Sequence, residues 1–251
     1  MMEAERPGVK PHQTLSEYYE KDSDKDAFLS ELFNTSAKHY DRILRYGFFG
    51  MGGNYRFRTL KRAGLLPGMH VLDVACGTAG VMREASRITP LSHIVGLDPS
   101  EGMLAVARSK FPEATFWHNR AESIPSGDEQ FDFLVMGYAL RHVRTFDEAF
   151  QEYFRVLKPG GKLLLMEISR PRSHIGYLLA KAYLKHFVPT LAFIICRDHG
   201  AREMMRYFCD SINACANRET ILEALDQAGF QATAWRTELG IFSAYTASKP
   251  E

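Results

Sequence analysis

Residues 71–80 read V-L-D-V-A-C-G-T-A-G, and no other stretch limits the possible folds as strongly. An apolar run carrying one carboxylate, Asp73, suits a strand buried on both faces of a sheet. The small residues and glycines after it suit a sharp turn into a helix that closes over a ligand. Ala75, Gly77 and Gly80 occupy the three small-residue positions of a G-x-G-x-x-G fingerprint, with alanine at the first. Asp98 follows Gly77 by about 20 residues, the separation at which an acidic residue ending the second strand can hold ribose hydroxyls. A dinucleotide and S-adenosylmethionine both fit this geometry. So does a tight turn that merely needs glycine.

From residue 70 onward apolar runs alternate with helical patterns. Strands are expected at residues 70–74, 93–98, 114–118, 131–137 and 162–168, and two more near 232–238 and 243–247. The expected fold is therefore α/β, a Rossmann-like seven-stranded and mostly parallel sheet. Ahead of it lie a polar arm (residues 1–26, with Pro7, Gly8 and Pro11) and a helical lid segment (27–66). In the lid, Phe28, Leu29, Leu32, Phe33, Tyr40, Ile43 and Leu44 recur at helical spacing. A glycine cluster at 47–53 then breaks the pattern before a second helix at about 55–63. The cofactor-binding core is expected over 67–172, a helical cap insertion over 173–212, and a closing helix and two strands over 213–251.

A chain of 251 residues, 45% hydrophobic, can bury one large core with an attached cap. Its net charge of +1 argues against a nucleic-acid partner. Cys76, Cys196, Cys209 and Cys215 show neither C-x-x-C pairing nor metal-ligand spacing, so no metal is expected. With a polar opening that lacks an apolar core segment, the pattern suits a reduced, cytoplasmic protein.

Four later stretches bear on the ligand: D-P-S-E-G-M-L-A-V-A-R from Asp98, A-E-S-I-P from Ala121, F-D-F-L-V-M-G-Y-A-L-R-H-V from Phe131 and R-V-L-K-P-G-G-K-L from Arg155. In sequence and order they resemble the successive motifs of class I S-adenosylmethionine-dependent methyltransferases. The nearest resemblance is to the ubiquinone/menaquinone biosynthesis C-methyltransferases, the UbiE-like group. It is carried by Tyr40-Asp41, by A-L-R-H-V from Ala139, and by Y-F-C-D-S-I from Tyr207 ahead of A-G-F at Ala228. The resemblance spans about residues 28–248.

The resemblance implies an enzyme whose cofactor is S-adenosylmethionine. Gly77 would let the backbone approach its methionine portion, with Ala75 also in the cofactor site, and Asp73 would hold the ammonium group. Arg56 would meet the carboxylate, Asp98 the ribose, and Met103, Asn119, Arg120 and Ala121 the adenine, with Pro99 also in contact with the cofactor. Asp98 could instead cap the helix that follows it, Met103 could be a plain core residue, and Arg56 a solvated surface arginine. Arg120 departs from the family, where an acidic or amide residue is usual, because arginine accepts no hydrogen bond.

On the acceptor side the resemblance points to Arg141, which would stabilise a phenolate. His142 stands where asparagine is usual; it is a general-base candidate or a structural histidine. Tyr40 would orient the acceptor or pack in the lid core. Leu44, Phe48 and Gly52 replace asparagine, serine and histidine, which makes the pocket more apolar. The expected acceptor is a small hydrophobic, aromatic or quinol-type molecule methylated on carbon, with O- or N-methylation of another hydrophobic metabolite as the alternative. A nicotinamide-dependent oxidoreductase and a non-catalytic cofactor-binding protein complete the range. Residues 175–196 form the most apolar segment, interrupted by Lys181, Lys185, His186 and Pro189. It reads as a lid over an apolar acceptor, as a peripheral membrane contact, or as a face for a homodimer.

Overall fold

The structure, a computed structural model, describes residues 8–47, 50, 52–171 and 173–251; Pro7 and Phe48 lie outside them. Burial follows the apolar runs. β1 (Val71–Val74) is buried at every position and lies between two parallel neighbours, β2 (Ile94–Asp98) and β4 (Phe131–Gly137). β3 (Thr115–His118) pairs with β2, and β5 (Leu157–Ile168) with β4, again in parallel. β6 (Gln231–Glu238) and β7 (Phe242–Ser248) complete the order β3-β2-β1-β4-β5-β7-β6, with β7 antiparallel to both neighbours. This is the expected fold class. β5 starts at Leu157 rather than near 162, because Phe131 pairs with Leu157 before the register shifts to Phe133 opposite Lys162.

Alternation along each strand divides the core into two layers. Leu72, Val74, Leu134, Met136, Leu163 and Leu165 face one side, packed on α5 (Phe146–Val156) and α9 (Arg218–Gln227). Val71, Phe133, Val135, Leu164 and Met166 face the other, packed on α2 (Gly52–Arg62) and α3 (Gly80–Ala85). Each fully buried aliphatic or aromatic side chain contributes about 1.5–3 kcal/mol. β2 is followed by α4 (Glu101–Lys110).

The front section folds onto this core. After a 3-10 turn (Asp22–Asp24), α1 (Lys25–Gly47) buries Leu29, Leu32 and Ile43. α2 begins at Gly52, ahead of the expected 55; at Gly53 a Cβ would lie 3.1 Å from the Glu84 carboxylate, so glycine there permits close approach to α3. The polar arm is packed rather than free over its described part. Phe146 N–H donates to the Val9 carbonyl (2.8 Å), Ala216 N–H to the Pro11 carbonyl (2.7 Å) and the Tyr18 hydroxyl to Asp210 (2.7 Å).

The cap consists of α6 (His174–Ala182), a π-helical turn (Tyr183–Phe187), α7 (Val188–Cys196) and α8 (His199–Ala214). The first three are consecutive in the chain and form one helical run. α1, α7 and α8 share a third apolar cluster that includes Leu29, Ile43, Val188, Met204 and Tyr207.

Candidate active site

The strand order reverses at β1, which has β2 on one side and β4 on the other. Open α/β sheets hold ligands at the carboxyl ends of strands beside such a switch. Here the turn after β1 is unusual in its backbone. Ala75 (φ 53°), Gly77 (φ 55°) and Ala79 (φ 64°) are all left-handed, a region that favours glycine, and a Cβ at Gly77 would meet nothing within 4 Å. Gly77 therefore presents bare backbone to open space. Cys76 N–H donates to the Leu97 carbonyl (3.0 Å), tying the turn to β2.

Two carboxylates fix the turn from below. Asp73, 1% exposed, accepts from Met82 N–H (2.9 Å) through Oδ2, while its buried Oδ1 has no partner among the described residues. Burial raises its carboxyl to about 7, the Met82 amide opposes this, Asp98 adds to it and Arg56 opposes it. Asp98 accepts from Gly77 N–H (2.8 Å) and Ser100 N–H (2.8 Å), and burial lifts it to about 6 against those two amides. The N-cap of α4 is Ser100, whose hydroxyl accepts from Met103 N–H (3.1 Å). This corrects the reading of Asp98 as the cap: the helix begins two residues later, leaving Asp98 at the strand end.

A cavity of about 390 Å³ opens above β2, β3 and β4. Ala75, Gly77, Asp98, Pro99, Met103, Asn119, Arg120 and Ala121 line it together with Phe33, Tyr40 and His142. Arg120 is engaged: its guanidinium donates to Asp26 on α1 (2.7 Å) and lies 3.4 Å from Glu122. Asn119 Oδ1 accepts from Arg120 N–H (2.8 Å).

A second cavity, of about 680 Å³, shares Tyr40, Ala75, Gly77 and Gly137 with the first. Arg56, Gly52 and Thr78 line its polar end, and Leu44, Tyr138, Ile168, Phe208 and Phe242 its apolar end. Arg56 lies over the Tyr138 ring (5.3 Å), with its buried Nε unpartnered among the described residues. Tyr138 itself is left-handed (φ 64°), a strained backbone for an aromatic residue directly after β4.

The three expected catalytic side chains separate. Tyr40 and His142 line the smaller cavity, whereas Arg141 lines neither of these two cavities. Arg141 is 0% exposed and donates to Glu167 (2.9 and 3.0 Å), to the Tyr138 carbonyl (2.7 Å) and to Ser211 Oγ (3.0 Å). Its guanidinium lies over Phe208 (4.3 Å), and Nη2 has no hydrogen-bond partner among the described residues. His142 packs against Phe33 and Tyr207, with Nδ1 3.3 Å from the Tyr207 hydroxyl. Burial, then the neighbouring Arg141 charge, depresses its basicity well below the usual histidine range, so it is neutral near pH 7. Burial raises the Tyr40 phenol, opposed by Arg56 and Arg141.

Glu167, Tyr138, Ser211 and Asp26 escaped the sequence reading. For Glu167 the signal was present: a carboxylate inside the apolar run K-L-L-L-M-E-I repeats the pattern of Asp73 in V-L-D-V.

Residues 21–249 match the model of the ubiE/COQ5 methyltransferase family. Among curated proteins, the chain is 32% identical over 214 residues to the "Ubiquinone/menaquinone biosynthesis C-methyltransferase UbiE" of Shewanella pealeana, covering 82% of this chain and 84% of the relative. It is 30% identical over 220 residues to the "Demethylmenaquinone methyltransferase" of Symbiobacterium thermophilum, covering 84% and 87%. Two solved structures share the fold at TM-score 0.61. A Thermotoga maritima protein described as "SAM-dependent methyltransferase, possible histamine N-methyltransferase" is 21% identical, covering 88% of this chain and 99% of its own. Haemonchus contortus phosphoethanolamine N-methyltransferase 2, solved with S-adenosyl-L-methionine, is 19% identical, covering 87% and 57%.

Proposed function

Because the chain belongs to the ubiE/COQ5 methyltransferase family and is an S-adenosylmethionine-dependent methyltransferase, we propose that it methylates a ring carbon of a quinol-type acceptor. One observation carries the reading. Two cavities, one ending in carboxylates and loop backbone and the other in apolar side chains, meet at Tyr40, Ala75, Gly77 and Gly137. The names of the relatives, which concern quinone rings, agree with the apolar end.

The residues present suit the cofactor. Among the described residues, Asp73 offers a buried, unpartnered acceptor for an ammonium group, Arg56 an unpartnered buried donor for a carboxylate, and Gly77 open backbone. Asp98 would hold the ribose hydroxyls, and Pro99, Met103, Asn119, Arg120 and Ala121 would surround the adenine. Arg120 would do so through its backbone and aliphatic stem, its charge being paired with Asp26. When bound, S-adenosylmethionine supplies an electrophilic methyl group on a sulfonium.

The protein's tasks are then to orient the acceptor, exclude water and take a proton. Leu44, Tyr138, Ile168, Phe208 and Phe242 form an apolar wall that fits a hydrophobic ring and keeps solvent from it. Tyr40, at the junction, orients the ring hydroxyl. His142, neutral and facing the cavity, accepts a hydrogen bond from the ring hydroxyl and takes its proton as the ring carbon attacks, when that hydroxyl becomes strongly acidic and a weakly basic imidazole suffices. Arg141 acts differently from the sequence expectation. Paired with Glu167 and bonded to the Tyr138 carbonyl, it holds the loop that carries Tyr138 and His142, and its charge sits behind the cavity wall.

Incubation with methyl-labelled cofactor and a demethylated quinol tests this, with mass spectrometry locating the label. Label on a ring carbon is expected, and His142→Phe is expected to lower kcat by about a hundredfold or more while cofactor affinity holds. A methyl ether or methylamine as the sole product across acceptors would refute carbon methylation.

A further inference from the structure

The helical run His174–Cys196 has two faces of opposite commitment. Leu184, Val188, Ala192 and Cys196, spaced four apart, pack on the cluster formed with α1 and α8. About half a turn away, Ile175 (70% exposed), Leu178 (51%), Leu179 (68%), Phe187 (50%) and Ile194 (64%) project into solvent. Ala182, His186 and Thr190 continue the exposed line between them. These five are most of the eight large hydrophobic side chains that stand exposed among the described residues, so the patch is concentrated on one element.

We propose that this exposed face is an in-plane docking surface for an anionic lipid bilayer. The run is long and apolar enough to cross a membrane by composition. However, Val188, Pro189 and Ala192 are buried against the body of the protein, and Lys181 and Lys185 interrupt the centre. A helix held along one side lies in the interface with its free apolar face down.

Charge selects the occupant. No acidic residue occurs between Glu167 and Asp198, while Lys181, Lys185, His174 and His186 belong to the run and Arg197 follows it. Lys181 is exposed, and Lys185, 3.9 Å from Asp210, keeps a side chain 42% exposed. Such a basic, apolar face complements anionic head groups. Two copies meeting through it would bring only cations together. On its inner side the same helical run packs with α8, whose Phe208 lines the larger cavity, so a docked protein would hold that cavity wall near the bilayer.

Vesicle sedimentation tests the proposal and needs neither acceptor nor methyl transfer, so its failure is separable from failure of the proposed reaction. The full chain is mixed with vesicles of phosphatidylcholine alone, or with a quarter of the lipid replaced by phosphatidylglycerol. Binding is expected to favour the mixed vesicles by about tenfold or more, given roughly fivefold per basic side chain at the surface. L179S/F187S/I194S is expected to bind the mixed vesicles at least about tenfold more weakly. K181Q/K185Q is expected to lose the preference for anionic lipid. Unchanged affinity of both variants for S-adenosylhomocysteine shows that they are folded. The proposal fails if the unaltered chain pellets with neither vesicle, or if the triple serine variant pellets as well as the parent. It fails also if the parent elutes as a dimer that the serine variant splits without binding lipid, which would give the face to a second copy.

Discussion

Two carboxylates sit inside apolar strand runs, and their partners decide what each does. Glu167 faces Arg141, both essentially unexposed, so each neutralises the other's burial. Deleting one charge leaves the other stranded, and breaking such a pair costs about 3–5 kcal/mol. Glu167→Gln, which keeps the shape, is expected to lose about 3 kcal/mol in urea denaturation, and Arg141→Met/Glu167→Leu to lose less than the single change. An unaltered midpoint for Glu167→Gln would show that the pair contributes little. Asp73 makes no ion pair among the described residues, and its burial makes it pH-sensitive. Its carboxyl, at about 7, and that of Asp98, at about 6, both stand above the ordinary value of 3.8. Raised pKa values stabilise the protonated native state, so this contribution is full below pH 4 and fades as pH rises through 6 and 7. A cationic ligand binds the ionised carboxylates, so affinity for S-adenosylmethionine is expected to rise through the same window. Calorimetric titration should show a gain of about tenfold between about pH 5.5 and 7.5, and Asp73→Asn should flatten it. A parent profile already flat would place the ammonium elsewhere.

At the scale of elements, α1 docks on α4 through a contact closer than side chains allow. A Cβ on Gly102 would stand 2.7 Å from the Asn34 carbonyl oxygen and 2.8 Å from its Cα, both backbone. Asn34 cannot easily yield, because its Oδ1 accepts from Ser100 Oγ (2.7 Å) and Gly102 N–H (2.8 Å). Alanine would gain about 1 kcal/mol of helix propensity against an overpacking cost of about 1–3 kcal/mol. Gly102→Ala is therefore expected to destabilise by about 1 kcal/mol in denaturant melts and to weaken cofactor binding, since Phe33 and Tyr40 ride on α1. A more stable Gly102→Ala protein would mean that α1 shifts freely. The strands were legible because buried parallel strands are continuous apolar runs, and the turn after β1 because three of its small residues adopt left-handed backbone. Arg141, by contrast, was legible as a site residue and not as a partner of Glu167. Their contact joins residues 26 apart, one in the turn after β4 and one in β5, and it depends on register and on the Ser211 hydroxyl brought in by α8. Arg120 pairing with Asp26, 94 residues away, is the same case.

Across the whole molecule, α1 is fastened to the core along its length, around the cavity it covers. Lys25 Nζ donates to the Val143 carbonyl (2.8 Å), and Asp26 accepts from Arg120 and Arg144. Asn34 holds the start of α4, and Asp41 accepts from Thr78 Oγ1 (2.6 Å) and Lys110. Many of these contacts are polar and partly exposed, each worth about 0–1 kcal/mol, whereas β1 and β4 are sealed in apolar layers. Local opening should therefore begin at α1, and the cofactor should enter by that route. A ligand bound beneath α1 adds contacts that opening must break. At about one hundred times its dissociation constant, S-adenosylhomocysteine stabilises by about 2.7 kcal/mol, which for a chain of this size raises Tm by about 5–10 °C. In the free protein amide exchange is expected to be fastest in residues 25–47, which open locally, and slowest in 71–74 and 131–137, which open only on global unfolding. Bound S-adenosylhomocysteine is expected to slow 25–47 by about a hundredfold, as much as it slows 71–74 and 131–137, because opening α1 releases the ligand. An α1 already as protected as β4 in the free protein, or slowed far less than β4 by the ligand, would mean that the cofactor enters by another path.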